Sequence, residues 1–201
     1  FRAKRFDKLG EGHFWLSESP DQPGSRSWDT AYPRMATWVK LWDRRNLKSL
    51  VLLNTHFDHV SKSARLEGAK LIEKFVSELP GDPTVIVTGD FNAGENSEPY
   101  RALFADQPNK RALIDTYRTC FPTAGDNEGT FNGFTGNDSG DRIDWIGATK
   151  DLKIVSAEIV KTSQNNRFPS DHFPVTAKLK FAAVNSDAQT RDTIDTTNQT
   201  K

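Results

Sequence analysis

The sequence predicts an α/β fold, and three observations carry that prediction. A continuous apolar run at 50–54 is followed by Leu66, Ala69, Ile72, Val76 and Leu79 at helical spacing, then by a second apolar run at 84–88. Strand, helix and strand in that order form the unit that joins parallel neighbours through a right-handed crossover. The stretch 173–181 alternates strictly, with Phe173, Val175, Ala177, Leu179 and Phe181 on one side and Thr176, Lys178 and Lys180 on the other. Such alternation marks a half-buried strand. Further strand-like runs lie at 35–43 and, in the second half, which β-structure dominates, at 142–148 and 152–161.

Taken in order, residues 13–17 (HFWLS) and 35–43 (MATWVKLWD) read as strands. Between them SPDQPGS is a loop, because its prolines and glycine exclude regular structure. DRRN at 43–46 turns the chain into 50–54, whose unbroken apolar character is that of a central strand buried on both faces. The helix that follows takes Ser61 or Ser63 as N-cap and is stopped by Pro80-Gly81. A short helix is expected at 98–104. Residues 105–140, with Phe131 and Phe134 among several Gly and Asn, read as the loop region in which specificity would lie. One domain is expected over 1–184, and 185–201, where Ile194 stands among Asn, Asp, Thr and Gln, reads as a disordered polar tail.

Composition excludes several classes. The 201 residues carry 27 basic and 27 acidic side chains, so no bulk electrostatic pull toward nucleic acid or anionic membrane is built in. A single cysteine, Cys120, excludes an internal disulfide framework and a multi-thiolate zinc site. The longest apolar runs fall far short of a membrane-spanning helix. The 13 Phe and 5 Trp supply enough large apolar surface for a core. A monomer is expected.

Polar residues gather where strands end, which is where α/β sheets bind ligands. The run at 50–54 ends in Thr55-His56-Phe57-Asp58-His59, and that at 84–88 ends in Gly89-Asp90-Phe91-Asn92. Asp144, flanked by Asp141, sits in a third, and Ser170-Asp171-His172 precedes the last strand. Asp and Asn oxygens suit Mg²⁺ or Mn²⁺, and histidines without thiolates suit proton transfer. Hydrolysis of a phosphate ester needs such parts: a cation for the phosphoryl charge, and a base for water with its ring held by a carboxylate. His13 and Cys120 read as structural; Arg34, Asp58 and His59 are balanced between structure and function.

The ordered set Asn54-Thr55-His56, Gly89-Asp90-Phe91-Asn92, Arg142-Ile143-Asp144-Trp145 and Ser170-Asp171-His172 resembles the endonuclease/exonuclease/phosphatase superfamily over about residues 1–181. That resemblance implies a four-layer α/β sandwich, two packed mixed sheets flanked by helices. It implies a Mg²⁺- or Mn²⁺-dependent phosphoesterase acting on nucleic acid, an inositol phosphate or a phospholipid head group. It makes Asp171 a metal ligand, Asp90 and Asn92 ligands of metal and phosphate, and His172 the general base with Asp144 holding its ring. His56 would contact the scissile phosphate or leaving oxygen, with Glu18 a candidate for orienting it, and Arg34 and His59 would contact substrate. Family members begin with strands that end in a metal-binding Glu, which this sequence lacks, so the first strands are expected to be missing. A catalytically incomplete remnant acting as a binding module is therefore the alternative expectation.

Overall fold

Strand and helix follow in the order that the periodicities require. In the computed structural model, which describes residues 1–105 and 111–181, the elements are β1 (Phe6–Trp15), β2 (Met35–Asp43), β3 (Lys48–His56), α1 (Lys62–Glu78), β4 (Thr84–Asp90), α2 (Glu98–Phe104), β5 (Leu113–Asp115), α3 (Thr116–Cys120), β6 (Asp144–Thr149), β7 (Leu152–Ile159) and β8 (Val175–Phe181). The expected polar tail at 185–201 lies outside the described residues. No helix among them is long and apolar enough to cross a membrane.

Six strands form one mixed sheet in the order β1-β2-β3-β4-β6-β5, and β7 pairs with β8 in a second. The fold is thus α/β with two sheets and flanking helices. β3 and β4 are parallel, joined through α1, while β4 and β6 are antiparallel. α1 begins where Ser61 Oγ accepts the Ala64 amide at 3.1 Å, satisfying one of the helix's unpaired N–H groups. It lays Ala69, Ile72 and Val76 on Val51, Leu53, Val85 and Val87, all within one buried cluster. Removing the Ile72 side chain to Ala would cost about 2–5 kcal/mol. Phe91 is fully buried and stacks on Trp145 at 4.4 Å, anchoring the sheet end from which the polar residues project.

The fold departs from the sequence expectations in four places. β1 starts at Phe6 rather than at residue 13, because its polar first half is held by a ladder with β2. Gly12 permits that pairing: a Cβ there would lie 2.8 Å from the Trp38 ring. β3 is central but not buried on both faces, since Leu52 on its second face is 37% exposed. The second sheet, of two described strands, covers only part of that face; Leu50 and Ile86 line a cavity with Leu152, Leu179 and Phe181. The region 105–140 contains β5 and α3, the latter capped by Asp115, which accepts the Tyr117 and Arg118 amides. Finally, the strand expected at 142–148 starts at Asp144, where its partner β4 ends at Asp90, and Arg142 just before it pairs with Glu95 and Asp115.

Candidate active site

Strand register assembles the site. His56 pairs with Asp90 across β3 and β4, and Asp90 pairs with Asp144 across β4 and β6. Directly opposed residues point to the same face, so the three side chains form a row across one end of the sheet. His172, just before β8, closes the group: its Nδ1 lies 2.8 Å from Asp144 Oδ2 and its Nε2 lies 3.9 Å from Asp90 Oδ2. His56 Nε2 is 3.3 Å from the same Asp90 oxygen. Asp90 thus stands between two imidazoles.

Asn92 completes the turn after β4 with φ 47°, the left-handed region that Asn tolerates better than most residues. Its amide donates to Asp90 Oδ1 at 2.8 Å, and its Nδ2 donates to the Phe57 carbonyl at 3.0 Å. Nδ2 also lies 3.3 Å from Asp90 Oδ2.

Charge follows geometry. Burial pushes the Asp90 carboxyl above its ordinary range; the Asn92 amide opposes the shift and the nearby Asp144 adds to it. Burial also acts against a charged His172, but the hydrogen bond and charge of Asp144, helped by Asp90 and Asp171, prevail, and its pKa rises. Although 56% of the His56 side chain is exposed, the atoms crowding its ring lower its pKa; Asp90 opposes this, and the cations Arg34 and His172 reinforce it. The two histidines are therefore biased in opposite directions.

A divalent cation beside the oxygen donors fits this site. Asp90, Asp144 and His172 each bring an atom within 4.8 Å of the others, and two carboxylates so close favour a cation nearby or a proton on one of them. Because His172 Nδ1 is engaged by Asp144, only its Nε2 is open. Asp171 lies outside that close group; its carbonyl accepts the Asn132 and Gly133 amides.

The remaining candidates divide. Arg34 Nη2 lies 3.2 Å from His59 Nδ1, and Tyr32, 61% exposed, stacks on His59 at 6.0 Å. Since guanidinium only donates, His59 presents its Nε2–H outward. Asp58 is buried and structural, accepting the Ala31, Val60 and Ser61 amides at 2.7–2.9 Å. Glu18 is exposed, with its amide on Ser27, and His56 faces Asp90 instead. His13 is exposed on β1. Sequence reasoning missed Tyr32, Thr130 and Asn132, whose roles depend on partners far along the chain and leave no periodic signal.

The sequence profile of the Endonuclease/Exonuclease/phosphatase family matches residues 5–172. A mannosyl-6-phosphatase structure from Bacteroides thetaiotaomicron is 34% identical, with a TM-score of 0.78, over 90% of this chain and 69% of that one. A family structure from Bacteroides vulgatus is 32% identical, with a TM-score of 0.79, over 90% and 69% of the two chains. The human Nocturnin catalytic domain with bound sulfate shares the fold at 18% identity and a TM-score of 0.68, over 90% and 62%. None of the curated protein sequences matches.

Proposed function

The chain belongs to the endonuclease/exonuclease/phosphatase family, and on that premise we propose that it is a divalent-metal-dependent phosphoesterase in which His172 activates water. The observation that carries this reading is the Asp144–His172–Asp90–His56 chain of contacts, at 2.8, 3.9 and 3.3 Å. Asp144 accepts the Nδ1 proton of His172, which leaves the Nε2 lone pair to take a proton from water. The hydroxide so formed attacks phosphorus, the P–O bond to the alcohol breaks, and the departing alkoxide takes a proton from water, while His172 gives its own to solvent, so that phosphate and alcohol leave and the base is restored. His56, neutral in the resting state and half-exposed, would contact the phosphoryl or leaving oxygen. Arg34 with His59 would hold the substrate beside it.

Asp90, Asn92 and Asp171 would hold Mg²⁺ or Mn²⁺, Asn92 through its side-chain carbonyl oxygen. Bound there, the cation supplies charge neutralisation for the phosphoryl oxygens and the departing alkoxide. A sugar phosphate monoester is the first substrate class, supported by the 34% identity to a mannosyl-6-phosphatase and by the zero net charge of the chain, which gives no general attraction to polyanions.

The test is release of phosphate or alcohol from hexose 6-phosphates, a phosphodiester, plasmid DNA, RNA and inositol phosphates, with Mg²⁺, Mn²⁺ or chelator, beside His172→Ala. Metal-dependent turnover that His172→Ala abolishes supports the proposal. Folded chain without metal-dependent turnover on any member of the panel defeats it, and preference for DNA or RNA defeats the sugar phosphate assignment alone.

A further inference from the structure

Asp144 and His172 belong to different sheets. Asp144 opens β6 of the six-stranded sheet, and His172 precedes β8 of the two-stranded one. They are 28 residues apart in sequence, so their 2.8 Å contact must be set by something that grips both sheets.

The segment 130–133 does so. Thr130 Oγ1 accepts the Ile143 amide at 3.0 Å and the Asp144 amide at 3.2 Å. The Thr130 carbonyl accepts the Phe173 amide at 2.7 Å, from the residue after His172. Thr130 itself is completely buried. Two residues on, the Asn132 amide donates to the Asp171 carbonyl at 2.7 Å, and Asn132 Nδ2 donates to the Ser170 carbonyl at 3.3 Å. Between them Phe131 forms a β-bridge with His172 and sets its ring edge against the imidazole at 5.2 Å. One short stretch therefore holds the Asp144 main chain on one side and the 170–173 main chain on the other.

We propose that Thr130 and Asn132 are positioning residues that set the Asp144–His172 contact, and with it the tautomer and aim of His172. This rests on the assignment of His172 as base. Thr130 acts through an oxygen that takes two amide protons, so shape alone does not replace it: Thr130→Val leaves both amides without that acceptor, while Thr130→Ser keeps it.

The experiment is a double-mutant cycle on the phosphate ester that the parent chain turns over fastest, joined to NMR detection of the His172 ring tautomer. Thr130→Val is expected to lower kcat by roughly ten- to a hundredfold with little change in KM, the scale of a displacement on the order of 1 Å at a reacting group. Thr130→Ser is expected to restore most of that loss. In an Asp144→Asn background Thr130→Val should have no further effect, because the contact it positions is already gone. The NMR signature of Nδ1-protonated His172, identified by its loss in Asp144→Asn, should be lost in Thr130→Val and kept in Thr130→Ser. A folded Thr130→Val with the parent's kcat and tautomer overturns the proposal, as does an equal loss in both backgrounds. Should Thr130→Val not fold, Asn132→Ala is carried through the same measurements under the same criteria. A parent chain with no phosphoesterase activity defeats the proposed function instead, and the tautomer signature then decides the role of the segment by itself.

Discussion

Replacing Asp144 by Asn changes one oxygen to an NH2 group at constant size, and the consequence can be worked from a single contact. In the parent, the carboxylate 2.8 Å from His172 Nδ1 can only accept, so the ring proton resides on Nδ1 and Nε2 carries the lone pair. A carboxamide can turn its NH2 toward Nδ1. The proton then moves to Nε2, the atom that must receive a proton from water. The same exchange in the serine protease triad lowers kcat by about 10⁴-fold through the wrong tautomer. Here the upward pull of Asp144 on His172 is lost as well, leaving only Asp90 and Asp171 to oppose the burial that disfavours the imidazolium. Asp144→Asn is therefore expected to lower kcat by roughly 10³- to 10⁴-fold, about 4–5.5 kcal/mol of barrier, with KM little changed. The β4–β6 ladder does not involve the altered atom, so the thermal midpoint should stay within a few degrees of the parent. The assay is steady-state hydrolysis of the best substrate with Mg²⁺ over a pH series, beside thermal melts. A well-folded Asp144→Asn chain within about tenfold of the parent kcat would refute the assignment of His172 as an Asp144-held base, because a tautomer error cannot be that mild.

The pH dependence of the parent has a definite sign: His172 acts only when deprotonated and its pKa is raised, so kcat/KM should climb with pH and reach half its plateau above the ordinary histidine value; an acid limb centred below that value would contradict the Asp144 pairing. Asp58→Ala should destabilise the fold by about 2–4 kcal/mol in urea unfolding, since the Ala31, Val60 and Ser61 amides lose their acceptor; a change under about 0.5 kcal/mol would show that water replaces it. Burial would raise the Asp58 pKa, but hydrogen bonds from Ser61, Thr30, Val60 and Ala31 hold it well below the usual range. Its contribution is thus complete above the ordinary carboxylate pKa and is lost as pH falls through the lowered one, so the Asp58→Ala deficit should shrink only in strongly acidic solution. Mg²⁺ at about a hundred times its Kd should add about 2.7 kcal/mol to the parent's stability, seen as a higher thermal midpoint, and Asp90→Asn should remove most of that gain; equal gains in both chains would place the cation elsewhere.

How much of this was legible in the sequence depended on whether the cause was local. The periodicity of Ala69, Ile72 and Val76 and a serine cap at 61 or 63 locate α1 because such signals are local to the helix, and the structure uses Ser61. The row His56, Asp90 and Asp144 was anticipated as residues that share one end of a sheet, and the register places them side by side. β1 extends well before 13–17 because β2 supplies a ladder to residues 6–12, and Gly12 makes room for Trp38. The double burial expected of β3 failed for a related reason, since Leu52 shows what the strand was made from and not what lies over it. Thr130 is the most instructive miss. A Thr beside an aromatic residue in a Gly- and Asn-rich stretch reads as turn chemistry, and only the approach of Asp144 and Phe173 from opposite sheets turns its hydroxyl and carbonyl into a link between them. The chemical groups of a site can be named from local motifs, whereas the distance between two of them is a property of every contact that separates the sheets. For that reason the geometry of the Asp144–His172 pair should prove more sensitive to residues 130–133 than to any residue adjacent to either partner in sequence.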